Sequence, residues 1–121
     1  MAKITLGSKN YELLLTTGAT KQIAARYGGL ENLGDKLLSE ENFAAAIEEV
    51  IWLLTLLANQ ALKRKELLGE ATDQVELKES DLEVLTTPYD LARFKDAITA
   101  CLTEGTKRNV ENEPSKNVTA S

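Results

Sequence analysis

The chain lacks histidine altogether, and among its 121 residues there is one cysteine, two prolines and an aromatic content of only 5%. Without imidazole it cannot build His–Cys zinc sites, Ser–His or Cys–His nucleophile pairs, or imidazole acid–base machinery within one copy. A lone Cys101 cannot close an internal disulfide, which points to a reducing compartment. Basic residues are outnumbered, 14 Lys+Arg against 19 Asp+Glu for a net charge of −5. That balance argues against nucleic acid, whose phosphates need clustered cations. A long hydrophobic run is missing too. The longest, Val50 to Ala58, is nine residues interrupted by Thr55, short of the roughly 20 that span a bilayer. The N-terminus alternates polar and apolar residues, unlike a signal peptide. A soluble protein is expected, with no membrane and no nucleic acid among its partners.

What is present suits one compact domain, since a chain of this size buries roughly two thirds of its unfolded surface. Ile4 and Leu6 share a face of one strand, Tyr11, Leu13 and Leu15 a face of a second, and Gly7-Ser8-Lys9-Asn10 supplies a turn. This predicts a β-hairpin over residues 1–15. An isolated hairpin is marginal in water, so its apolar face must lie on helices. Thr16-Thr17 offers an N-cap for a short helix over Ala19–Tyr27, which Gly28-Gly29 stops. Leu30, Leu33, Leu37 and Leu38 mark a second short amphipathic stretch, weakened by Gly34.

The dominant element is a helix from about Glu40 to Leu68, capped by Ser39, with Glu40 and Glu41 in its first turn, Lys63-Arg64-Lys65 near its end and Gly69 as its stop. Phe43, Ile47, Val50, Ile51, Leu54, Leu57, Ala58 and Ala61 form one stripe, while Trp52, Leu53 and Leu56 carry the apolar surface around the cylinder. A helix apolar nearly all round is either central in a bundle or part of an intermolecular contact. Between Glu66 and Glu83 seven acids face a single base, Lys78, so residues 70–79 read as a mobile loop. Ser80-Asp81-Leu82-Glu83 has a capping-box pattern, and Thr87-Pro88-Tyr89-Asp90 is the clearest helix start in the chain. That last helix buries Leu91, Phe94, Ala97, Ile98, Cys101 and Leu102, and is expected to end at Gly105. The fold class is therefore mainly α with a small N-terminal hairpin, an α+β domain over 1–105 built around one long helix, followed by a flexible polar tail over 106–121.

Candidate chemistry is thin. Adjacent Glu40-Glu41 and Glu48-Glu49 diverge on a helix and read as a solvated face. The glycines of Gly28–Gly34 lack phosphate-loop spacing. Lys63-Arg64-Lys65 complements a helix C-terminus. Cys101 sits on an apolar face with no histidine to activate it. Catalytic, cofactor and metal residues are all expected to be none, and the protein is not expected to be an enzyme. A DNA-reading helix starting near Thr87 would carry Asp90 and Asp96 beside Arg93 and Lys95. Trp52 is either core filler or an interface anchor.

The opening Lys3–Leu13, Ala19-Thr20-Lys21, Arg26–Gly34, the apolar Ile51–Gln60 and the late Gly105–Asn109 together resemble the tail assembly chaperones of long-tailed phages and of prophages in Gram-positive bacteria, over about residues 3–110. The resemblance implies a small, mostly helical protein that binds the long helical tape-measure protein, keeps it soluble and helps recruit the tail-tube protein. It implies action in the host cytoplasm and absence from the mature virion. Genes of the family often yield a longer second product by ribosomal frameshifting, and the polar tail at 106–121 would suit the short form. No invariant active site comes with the family. Apolar helix surface for a helical client, together with net charge for solubility, agrees with it. Phe43, Ile47, Val50, Ile51, Trp52, Leu56 and Leu57 are the candidate partner-binding residues, contacting client helices or copies of the chain itself. The competing readings are a structural tail component, such as a completion or connector protein, and a non-enzymatic helical adaptor.

Overall fold

The structure is a computed structural model that describes residues 2–30, 33, 42–72 and 74–120, with 107–120 as backbone only. It is mainly helical, with an N-terminal antiparallel hairpin, as the hydrophobic periodicity predicts. Strand β1 (Lys3–Leu6) pairs with β2 (Lys9–Glu12) in the register Ile4↔Tyr11 and Leu6↔Lys9. The turn is tighter than the expected four residues: Lys9 and Asn10 belong to the strand and only Gly7-Ser8 connects. Gly7 sits at φ 62°, the glycine-first arrangement of a two-residue loop whose twist matches the strands. Period-2 alternation turns Ile4, Leu6 and Tyr11 inward, where all three are buried. The chain leaving the hairpin is tied by Leu13 N–H donating to Ala2 O at 2.8 Å and Leu14 N–H to Leu57 O at 3.2 Å.

Helix α1 (Thr17–Tyr27) starts as expected. The Thr16 hydroxyl oxygen accepts from Ala19 N–H at 3.0 Å, and Gly28 closes the helix in the left-handed region at φ 85°. Ala19 and Ile23, one turn apart, are fully buried. Leu33 is buried as well, while Gly34, Leu37 and Leu38 of the expected second amphipathic stretch lie outside the described residues. So do Ser39, Glu40 and Glu41. The long helix α2 (Phe43–Leu67) begins later than predicted, capped by Asn42, whose Oδ1 accepts from Ala45 N–H at 3.1 Å. At its other end Gly69, at φ 74°, ends the helix where the sequence placed the stop.

Helix α2 is the hub of the core. Leu53, Leu54 and Leu57 have no exposed surface, and β2, α1, α3 (Glu79–Leu85) and α4 (Leu91–Ala120) all pack on it. Its length and composition would suffice to cross a membrane, yet half of its most apolar window is buried within the fold. Among the described residues the interior holds no polar or charged residue.

Three expectations are corrected in the second half. Residues 70–72 and 74–78 have no regular structure, but they are anchored at two points. Asn59 Nδ2 donates to Leu77 O and Leu77 N–H donates to Asn59 Oδ1, both at 2.8 Å, and Gln74 Nε2 donates to Asn10 O at 2.6 Å. Asn59→Ala strands both backbone groups of buried Leu77 and is expected to cost about 1–3 kcal/mol. Hydrogen exchange checks it: the Leu77 amide should be protected in the native chain and lose that protection in the variant.

Next, α3 starts at Glu79 and not at Asp81, because Asp81, three residues into the turn, takes the Lys78 N–H at 2.9 Å. The expected box had Ser80 as the cap and Glu83 reaching back. Finally, α4 does not stop at Gly105 but continues to Ala120, so the boundary expected after residue 105 is not a helix end. Gly105 is absent from the residues with positive φ. It serves instead as a place of close approach, since a Cβ there would stand 2.7 Å from Leu15 Cδ2. The Thr87-Pro88 start is found as read: a single 3-10 turn (Pro88–Asp90) leads into α4, with Thr87 N–H donating to Asp90 Oδ2 at 3.0 Å.

Candidate docking surface

Helix α2 presents two separate flanks, and the seven residues predicted to bind a partner are divided between them and the core. Ile47 and Trp52 are five residues apart, which places them about 140° around the cylinder from each other. Ile47 lies on the side facing the α3–α4 connection, where a groove of about 260 Å³ opens. Val50 and Ile51 form its buried floor, and Leu91 and Phe94 of α4 its far wall. Glu83, Thr86, Thr87 and Pro88 complete the rim. Phe43, one turn before Ile47 on the same face, is 54% exposed. Leu57 belongs wholly to the core, and Leu56, half-buried, lies on the Trp52 flank.

Trp52 is partly buried and engaged within the fold. The Arg26 guanidinium lies over its ring at 4.3 Å, and the Tyr27 ring meets it edge-on at 6.1 Å. Arg26 in turn donates to both Glu49 oxygens at 3.3 Å, and the Tyr27 hydroxyl donates to Glu49 Oε1. Burial first, and then the bond to Glu49, push the Tyr27 phenol well above its ordinary range. Arg26 is raised by its bond to Glu49. This half-buried cluster ties α1 to α2 and uses the tryptophan face within the fold.

The groove offers little polar chemistry. Thr86 Oγ1 already donates to Leu82 O at 2.7 Å, and the backbone and hydroxyl of Thr87 are engaged with Asp90. Asp90 is held below the usual carboxylate range by the Thr87 backbone N–H first and by Arg93 second. Arg93 sits on Asp90 at 2.7 Å and over the Phe94 ring at 5.0 Å. Cys101 is buried against the hairpin side of α4, and its thiol is pushed up to about 12 by burial and then by the Glu104 charge. It is a packing residue with negligible thiolate. Among the described residues no cluster of three metal-ligating side chains occurs.

The part of this surface that sequence reasoning missed is the connector. Val84 is 83% and Tyr89 96% exposed, unburied apolar residues next in sequence to Glu83 and Pro88 of the rim. Their signal was present as apolar residues that fit no helical stripe. That the packing of α3 and α4 brings Glu83, Thr86, Thr87 and Pro88 beside Ile47 is tertiary information. No known family, curated protein or solved structure matches this chain.

Proposed function

We propose that the chain is a tail assembly chaperone of a long-tailed phage or prophage. It binds the helical tape-measure protein, keeps it soluble and helps recruit tail-tube subunits in the host cytoplasm, without entering the mature virion. The observation that supports this reading best is the apolar groove between α2 and the α3–α4 connector. It lies on a helical scaffold whose rim hydroxyls are already spent, in a chain of net charge −5. A protein that shields another chain's apolar helices needs such surface, together with enough charge to stay dispersed. Its volume is below the roughly 300–1,000 Å³ of small-molecule sites, which favours insertion of side chains over a cofactor. A non-enzymatic role fits the absence of histidine and the masked thiol.

The test is coexpression with the tape-measure protein encoded beside its gene, scoring soluble client with and without this chain. Copurification of soluble client is the expected result. Unchanged client solubility, with this chain forming rings by light scattering and present in purified particles, would replace the reading with a structural tail component.

A further inference from the structure

The groove also specifies what kind of helix it takes. Its walls are helices joined by the short extended Thr86-Thr87 link, whose two N–H groups are already taken by Leu82 O and Asp90 Oδ2, and among the described residues no strand edge lines it. An extended peptide would find no ladder there and would leave its own backbone unpaired, whereas a helix satisfies its backbone internally. The floor of Val50 and Ile51 and the far wall of Leu91 and Phe94 reward apolar side chains at helical spacing.

Charge at the rim is one-sided. Glu83 is the one charged side chain that lines the groove. Among the described residues Glu83 has no ion-pair or hydrogen-bond partner, whereas Arg93 is held by Asp90. An acidic or phosphorylated occupant would meet uncompensated like charge, and a basic one would be steered in.

Resting on the client-binding reading above, we propose that this groove seats an amphipathic helix whose apolar stripe is flanked by lysine or arginine, a basic side chain meeting Glu83. The Trp52 flank takes no part. The partner's binding segment is thereby defined by chemistry: apolar residues at i, i+3 or i+4 and i+7, with a cation beside them.

Two synthetic peptides of about 18 residues test this, sharing one apolar stripe and differing only in Lys or Glu at the flanking positions. Binding is followed by calorimetry to the full chain and to its Glu83→Gln, Glu83→Lys and Ile47→Asp variants. Circular dichroism confirms that each variant keeps its fold. The lysine peptide should bind with an affinity that falls as salt rises, weaken roughly threefold on Glu83→Gln, and lose its preference over the glutamate peptide on Glu83→Lys. Ile47→Asp should abolish binding of both. Equal binding of the two peptides, or a preference that survives Glu83→Lys, would overturn the proposal. So would a groove blocked by a second copy, seen as an oligomer that dissociates on Glu83→Lys. If the tape-measure protein is solubilised while neither peptide binds, the groove assignment fails and the chaperone reading stands. If the lysine peptide binds as described and the tape-measure protein is not solubilised, the reverse holds.

Discussion

Leu57→Ala is expected to remove about 2–5 kcal/mol of stability, a large part of the roughly 5–15 kcal/mol typical of a whole domain. Leu57 has no exposed surface, sits where β2 and its following residues cross α2, and its carbonyl receives the Leu14 N–H. The alanine keeps that backbone bond and the helix, so the loss is one of packing and of the cavity left behind. The midpoint of urea unfolding, followed by Trp52 fluorescence, should fall with little change in slope. Leu57 belongs to the stripe that the sequence nominates for partner binding, and the experiment separates the two roles. A variant that kept its full stability and lost only a partner would show that Leu57 reaches the surface, against its burial.

Gly105→Ala should also destabilise, and Gly105→Val more so. A Cβ at this position would stand 2.7 Å from Leu15 Cδ2 and 2.9 Å from Leu15 Cβ. The second of these atoms is fixed to the backbone, so the hairpin exit or α4 has to move. Overpacking of this kind costs about 1–3 kcal/mol, while replacing a helical glycine by alanine returns up to about 1 kcal/mol of propensity. The net sign is therefore unfavourable. A double-mutant cycle with Leu15→Ala decides the cause. If the cost arises from contact, Gly105→Ala becomes neutral or stabilising in the Leu15→Ala background. If Gly105 were instead a left-handed helix stop, the penalty would persist whatever stands at position 15.

That second case shows where the sequence was readable and where it was not. Local chemistry was legible: the Thr16 cap, the Gly28 and Gly69 stops and the Thr87-Pro88 start each depend on a few adjacent residues, and each is found. The hairpin was legible from alternation, although the turn length was not, since Lys9 and Asn10 suit a turn and a strand equally well. Gly105 was misread because glycine serves both a helix end and a close approach, and only the position of Leu15 tells them apart. The acidic 70–79 stretch was read as free chain because the groups that hold it, Asn59 and Asn10, are distant in sequence.

For the docking surface, periodicity identified α2 as apolar nearly all round but not which arc is covered. Ile47 and Phe43 were picked out along with Leu57 and Trp52, although the fold buries one of these last two and covers the ring face of the other with Arg26. Glu83 and the connector residues were invisible as a site, for they are brought to α2 only by the packing of α3 and α4.

The interior, apolar throughout the described residues, has a consequence for how uniquely the chain folds. Leucines and alanines interdigitate in more than one way, and a core free of polar groups does little to distinguish one sliding position of its central rod from the next. The task of fixing that position passes to the margins of α2. There Glu49 engages Arg26 and Tyr27, Asn59 engages Leu77, and Gln60 receives the Thr16 hydroxyl. Each of these ties joins α2 to a different stretch of chain or to a different end of α1. They act as alignment pins: removing all three together would leave a chain still helical and still collapsed, but distributed over several registers, with the broad side-chain resonances of a state that has lost its single arrangement before its compactness.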